Sequence, residues 1–250
     1  YSIILTNRLN MHDLIYGAAS AVGVSPDTCG GHISIPGVAV KGWMPRPDFI
    51  LWDYGPCDNS AQAGEFLMSL FGVPGYFIDR PYRFVDEEIR YYVKQYKELI
   101  DILEELTQQP IDWEKVKERM KLAAEMAGVR KEFIELRHAT PSPASVGVGI
   151  NHFLIGGLIA GSTQEGLDYY RLIRDEWSNL VKQGKGYAHE KYRLMFVGLP
   201  DLYVDAFDNW MQLEHGISVV SGPTINFRED WEPDFTRTLE SLARSYRVHI

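Results

Sequence analysis

The stretch DFILWDYGPCDNSAQAGEFLMSLFGVPGYFI, residues 48–78, decides the fold class. Asp48 to Trp52 is a short, mostly apolar run and reads as a buried strand. The segment Asp53-Tyr54-Gly55-Pro56-Cys57-Asp58-Asn59 is rich in turn formers and leaves that strand as a loop. Ser60 to Leu70 reads as a helix, and Val73 to Ile78 as a second strand. Strand, loop, helix and strand in this order make the βαβ unit of a parallel sheet. Cys57 thus stands where a strand hands over to a helix, the carboxyl edge at which ligands collect in open α/β sheets.

Upstream, Met11 to Tyr16 opens a helix that runs into a turn near Gly23. The following segment is dense in Gly and Pro, from Pro26 to Pro47, and predicts loop with short strands or turns. Downstream, Ile89, Tyr92, Val93, Tyr96, Ile100 and Leu103 recur at three and four, which predicts a long amphipathic helix over 87–106. Pro110 ends it. Asp112 is placed to cap a further helix with Val116, Met120 and Ala123 inside, and a third helical stretch spans about 130–137. Thr140-Pro141-Ser142-Pro143 breaks the pattern, the apolar, glycine-rich 147–161 predicts a short, closely packed helix, and Thr163 caps a helix reaching Lys182. After Gly184-Lys185-Gly186, which reads as a linker, Tyr192–Val197, Tyr203–His215 and Ile217–Ser221 repeat the βαβ pattern. A helix over Phe235–Tyr246 follows. The expected fold is α/β: two parallel-sheet Rossmann-like domains with a helical insertion, the first over 1–185 and the second over 186–250. With only two strands, the second domain reads as truncated.

A chain of 250 residues with 45% apolar side chains can bury a full core, so disorder is not the expectation. The formal charge of −9 repels nucleic-acid backbones and anionic membranes. No uninterrupted apolar run is long enough to span a bilayer and no secretory signal opens the chain, which points to a cytoplasmic protein. The first residue is Tyr1, which points to a processed chain or a fragment.

Two cysteines do not make a disulfide framework, and their spacing is far from that of CxxC dithiols or zinc ribbons. Their surroundings are more informative. Cys29 lies in Asp27-Thr28-Cys29-Gly30-Gly31 and Cys57 in Gly55-Pro56-Cys57-Asp58-Asn59. Thiolates are the soft ligands of iron–sulfur clusters, and flanking Gly and Pro allow backbone amides to approach the sulfurs. The competing reading is a pair of buried thiols acting as small hydrophobes; polar and glycine neighbours weaken it. A zinc site using Cys29, Cys57, His32 and water stays open, as does a noncatalytic binding module. His32 follows Cys29 by three positions and is the candidate for contact with a substrate. Asp53 and Asp58 flank the Cys57 loop, and Arg80 and Arg83, beyond the second strand, are candidates for the phosphates of a long cofactor tail. Phosphate loops of the GxGxxG and GxxxxGK[ST] types are absent from the sequence, as are HExxH and GxSxG, so nucleotide hydrolysis, nicotinamide chemistry and serine hydrolysis lose support.

The ordered set Asp27-Thr28-Cys29, Pro45-Arg46-Pro47-Asp48-Phe49-Ile50-Leu51, Cys57-Asp58, and Gly72-Val73-Pro74 to Ile78-Asp79-Arg80-Pro81 resembles the core of the 2-hydroxyacyl-CoA dehydratase and benzoyl-CoA reductase family. Tyr92 to Thr107 with Asp112 is similar to that family's helical insertion. Glu190 to Leu194 leading to Gly198-Leu199-Pro200, then Gly216 to Val220 and Leu242 to Tyr246, resemble its second domain. The resemblance implies a [4Fe-4S] cluster with Cys29 and Cys57 as two of three cysteine ligands, the third lying beyond Ile250. It also implies a related cluster-bearing subunit as partner, a separate ATP-driven electron activator, and a CoA thioester as substrate. The expected reaction is radical dehydration of a 2-hydroxyacyl-CoA to an enoyl-CoA, with ATP-dependent reduction of benzoyl-CoA as the alternative.

Overall fold

The computed structural model describes residues 11–53, 59–80, 83, 85–145, 159–195, 206, 209–221 and 231–245. The chain forms two compact units, Tyr1–Pro110 and Ile111–Ile250. The fold is mixed α/β, with one two-stranded parallel sheet in each unit among the described residues. None of the described helices is long and apolar enough to cross a membrane.

In the first unit, α1 (His12–Ala21) and α2 (Gly30–Val40) precede β1 (Ile50–Asp53), α3 (Asn59–Phe71), β2 (Gly75–Ile78) and α4 (Asp86–Thr107). The strands β1 and β2 run parallel, with Ile50 opposite Gly75 and Asp53 opposite Ile78, as the apolar runs require. The helix α2 overturns the expectation of loop through the Gly- and Pro-rich segment. Tertiary burial outweighs local composition there: Ile33, Val38 and Ala39 are buried, Pro36 is accommodated inside the helix, and Gly37 lets α2 lie directly on α1. A Cβ at Gly37 would stand 2.1 Å from the carbonyl oxygen of Ile15.

Trp52 ties the sheet to its crossover helix. A Cβ at Gly64 of α3 would fall 2.3 Å from the indole ring, and one at Gly75 of β2 would fall 2.6 Å from the far edge of the same ring. The indole therefore occupies the volume that side chains at both positions would fill. Across the sheet Trp52 faces Phe77, with ring centroids 5.8 Å apart. The Arg46 guanidinium donates to the carbonyl of Phe71 at 3.1 Å and satisfies the end of α3.

The second unit begins with α5 (Trp113–Leu136), capped by the Asp112 carboxylate, which accepts from Lys115 N–H. This is one helix where two were expected. Gly128 costs about 1 kcal/mol relative to Ala, and burial of Met126, Val129 and Phe133 on either side outweighs it. The next helix, α6 (Gln164–Lys182), is capped by Thr163 as expected. Phe133 meets Tyr170 and Trp177 of α6 edge-on, at 5.3 and 5.6 Å, and Leu167 and Ile173 complete this core. The strands β3 (Tyr192–Met195) and β4 (Ile217–Ser221) pair in parallel. Between them, Trp210–Glu214 is a single π-helical turn. A 3-10 turn, Phe235–Arg237, leads into α7 (Thr238–Ser245). The expected short helix at 147–161 lies mostly outside the described residues.

A buried carboxylate holds this unit's polar interior together. Glu190, whose side chain is 6% exposed, accepts from Ser142 N–H at 2.9 Å, from Arg193 at 2.6 Å and from the Ser218 hydroxyl. Arg193 in turn donates to the carbonyls of His138 and Ala139, each at 3.0 Å. Burial pushes the Glu190 carboxyl upward, but these donors outweigh it and hold its pKa below the ordinary 4.5.

Two predictions test this packing. Gly64→Ala lowers unfolding stability by about 1–3 kcal/mol through overpacking against Trp52, whereas Gly128→Ala, which meets open space, raises it by about 0.5–1 kcal/mol; urea titrations in which both changes act alike would refute the contrast. For Glu190 the folded pKa is depressed, so its stabilisation is present above the ordinary carboxyl value and is lost as pH falls toward the folded one. Glu190→Gln is therefore less stable than wild type at pH 7, and the gap closes below about pH 4.5; urea midpoints measured between pH 7 and 3.5 would show instead a constant gap if the charge were immaterial.

Candidate functional site

The carboxyl edge of the first sheet is built by side chains from β1, β2 and α4. Arg80, just past β2, pairs with Asp53 at the end of β1. Both side chains are partly buried, so this ion pair spans the ends of the two parallel strands. The Ser60 hydroxyl, in the first turn of α3, donates to the Asp53 carbonyl. Asp53 and Ser60 thereby connect the end of β1 to the start of α3. Cys57 itself lies outside the described residues.

Gln95 of α4 reads the backbone that follows β2 as another strand would. Asp79 N–H donates to its Oε1 and its Nε2–H donates to the Asp79 carbonyl, both at 2.7 Å. The Tyr91 hydroxyl donates to the Asp79 carboxylate at 3.0 Å. Arg80 is thus held from both sides, and its neighbour Tyr96 is partly buried, with its hydroxyl pKa raised by burial. Arg83 is exposed and engages Glu88 through Nε–H at 2.9 Å and backbone N–H at 2.7 Å. The two arginines are therefore differently placed: Arg80 braces the sheet edge, and Arg83 lies on the surface at the start of α4.

Cys29 is exposed and occupies the cap position ahead of α2, where its carbonyl accepts from His32 N–H and Ile33 N–H at 2.8 and 2.9 Å. The N–H groups of a helix's first turn lack intrahelical acceptors and favour negative charge at that end. Gly30 lies under the Tyr16 ring: a Cβ would stand 2.6 Å from the Tyr16 hydroxyl oxygen and displace that side-chain end, and the hydroxyl donates to the Gly30 carbonyl at 3.4 Å. Burial, and after it the charge of Cys29, raise the Tyr16 pKa. His32, half-buried one turn into α2, has its pKa lowered by burial and is neutral near pH 7.

His32 opens onto a cavity of about 300 Å³ that is also lined by Ser25, Thr28, Asn59, Gln62 and Phe66. Thr28 precedes Cys29, and Asn59 begins α3 two positions after Cys57. One cavity wall thus comes from the Cys29 turn and the other from the helix that follows the Cys57 loop. Sequence reasoning found His32 but missed Thr28, Asn59 and Gln62, which are polar residues without a distinguishing pattern. Among the described residues no three His, Cys, Asp or Glu side chains converge in an arrangement suited to a metal ion.

Residues 9–250 match the family described as 2-hydroxyglutaryl-CoA dehydratase, D-component. The chain belongs to this family. As a member of the dehydratase D-component family it is 28% identical over 219 residues to the (R)-phenyllactyl-CoA dehydratase alpha subunit of Clostridium sporogenes, covering 83% of this chain and 52% of that protein. It is 26% identical over 217 residues to one of the subunits of the benzoyl-CoA reductase of Thauera aromatica, covering 81% of this chain and 45% of that protein. The family member described here therefore spans about half the length of the curated relatives it matches.

The exposure of Cys29 has a direct chemical readout. In a Cys57→Ser variant of the metal-free protein, iodoacetamide modifies Cys29 without denaturant, with mass spectrometry placing the adduct on its peptide; modification seen only after unfolding would contradict an open thiol at the start of α2.

Proposed function

We propose that this chain is a cluster-bearing subunit of an enzyme that acts on a CoA thioester, with Cys29 and Cys57 as thiolate ligands of a [4Fe-4S] cluster. The reaction is the radical dehydration of an (R)-2-hydroxyacyl-CoA to an enoyl-CoA. The observation that carries this reading is the position of Cys29, an open thiol at a helix start, beside a cavity whose opposite wall begins two residues after Cys57. Family membership supports the same chemistry. In this reading the two parallel strand pairs belong to Rossmann-like domains, a related cluster-bearing subunit completes the enzyme, and a separate ATP-driven activator delivers electrons.

The donor chemistry of the Cys29 turn fits such a group. The thiol is accessible, the adjoining Gly30 and Gly31 present backbone amides without side chains in the way, and no cap side chain competes for those amides. When bound, the cluster supplies one-electron transfer at low potential. Four irons need more ligands than two thiolates, so the remaining coordination comes from donors other than the cysteines of this sequence. The protein residues have distinct tasks. His32, kept neutral by burial, offers the substrate a ring nitrogen in the cavity wall. Arg80 and Asp53 brace the strand ends from which the Cys57 loop departs, and Arg83 lies farther out, where a phosphate would displace Glu88. The match to a benzoyl-CoA reductase favours a second reading, ATP-dependent reduction of an aromatic acyl-CoA; the higher identity to a dehydratase favours dehydration.

The test is anaerobic purification together with the related subunit. Iron and acid-labile sulfide are expected at about four each per cluster, with both falling to background on this subunit for Cys29→Ser and Cys57→Ser. Given iron and sulfide, an enoyl-CoA product selects dehydration and a cyclic diene selects ring reduction. Absence of both elements from folded wild-type protein would remove the proposal.

A further inference from the structure

The cavity beside His32 takes its walls from two helices. Gln62 and Phe66 lie one turn apart on α3, and His32 and Pro36 lie one turn apart on α2, so each helix gives one face to it. The rest of the described lining is glycine, alanine, valine, serine, threonine and asparagine. Among the described residues, no lysine, arginine, aspartate or glutamate lines the cavity. His32 is the one lining group that ionises near neutral pH, and burial lowers its pKa, which keeps the ring uncharged at pH 7. The formal charge of the whole chain, −9, adds no attraction for an anion.

Such a lining sorts ligands by charge. A carboxylate that enters exchanges water for hydroxyl and amide groups, which hydrogen-bond to it without neutralising it, and an ion desolvated in this way is penalised. A neutral polar group exchanges water hydrogen bonds for protein ones at little net cost, and apolar carbons gain from contact with Phe66 and Pro36. The volume of about 300 Å³ stands at the small end of ligand cavities, enough for one end of a CoA thioester and not for the whole. The phosphates are the charged end, so they are the wrong end for this lining. His32 follows Cys29 by three positions at the start of α2, which sets the cavity beside the proposed cluster ligand, where the reacting acyl group belongs.

We propose that this cavity receives the acyl group and selects an uncharged one, making the substrate a 2-hydroxyacyl-CoA without a second carboxylate. The acyl group in the family's description, 2-hydroxyglutaryl, does end in a carboxylate. The assignment of an acyl group rests on the function proposed above. The experiment is titration calorimetry on the enzyme purified anaerobically with the related subunit and without the electron activator, so that bound thioester is not turned over. The two probes are 2-hydroxyglutaryl-CoA and its distal carboxamide, which have nearly the same shape and differ in charge. Wild type is expected to bind the carboxamide about tenfold more tightly or better. Gln62 is exposed, so its replacement leaves the core intact. Gln62→Arg, which brings a cation to the lining, is expected to tighten the carboxylate probe about fivefold and to change the carboxamide less than about twofold. Gln62→Glu is expected to weaken the carboxylate probe further. Equal binding of the two probes by wild type, tighter binding of the carboxylate, or a ratio unmoved by both Gln62 variants overturns the cavity's role while leaving the CoA thioester reading in place. Binding of neither probe to folded, cluster-loaded enzyme removes that reading and the acyl assignment with it.

Discussion

The first unit depends on the close approach of a helix to a two-stranded sheet around one indole. Trp52 fills the space above Gly75 and beneath Gly64, so α3 lies nearer to β1 and β2 than any larger residue at those positions allows. Strand, helix and second strand are thereby locked into one unit. The end of β1 and the start of α3 are then tied together by a hydrogen bond from the Ser60 hydroxyl to the Asp53 carbonyl. The positions of Asp53 and Asn59, the described residues nearest to Cys57 in sequence, are a consequence of packing at Trp52.

The same logic sets Cys29. Its helix begins where a Gly-Gly pair leaves two amides uncovered, and that helix is seated on α1 through Gly37 and Ile15. Larger side chains would lift α2 off α1 at Gly37 and collide with Tyr16 at Gly30. In the second unit a carboxylate plays the organising part. Glu190 collects donors from the backbone of Ser142, from Ser218 on β4 and from Arg193 on β3, which turns a charge that is costly to bury into a joint among three segments.

Much of this was legible in the sequence, and what escaped has a common cause. The β1–α3–β2 unit was readable because its apolar runs and turn residues separate cleanly. Asp112 and Thr163 were readable as caps because capping is a local affair between a side chain and the amides of the next turn. The helix at Gly30–Val40 was not, since glycine and proline counts report local preference, while Ile33 and Val38 gain their burial from α1, a distant element. Gln95 escaped for the same reason. In an amphipathic pattern it is a polar residue on an otherwise apolar face, and only the neighbouring strand end shows that it substitutes for missing backbone partners at Asp79. The three-residue spacing of Cys29 and His32 was visible in the sequence, but the cavity that His32 lines includes Asn59 and Gln62, which only the packing of α3 supplies.

The candidate site also follows a division of labour that composition alone does not reveal. The ion pair between Arg80 and Asp53 is partly buried and held by Gln95 through the preceding peptide, so its energy goes into geometry. Pulling Arg80 toward a ligand phosphate would leave the Asp53 carboxylate poorly compensated at the strand end, a cost that rises with burial. Arg83 faces the opposite balance, because an exposed pair with Glu88 contributes little and exchanges readily with other anions. Between two arginines three positions apart, the more buried one is thus the weaker candidate for transient substrate contact and the stronger one for holding the sheet edge in register. The half-buried His32 and the open thiol of Cys29 lie instead at the start of α2, whose position is set by the contact of Gly37 with Ile15.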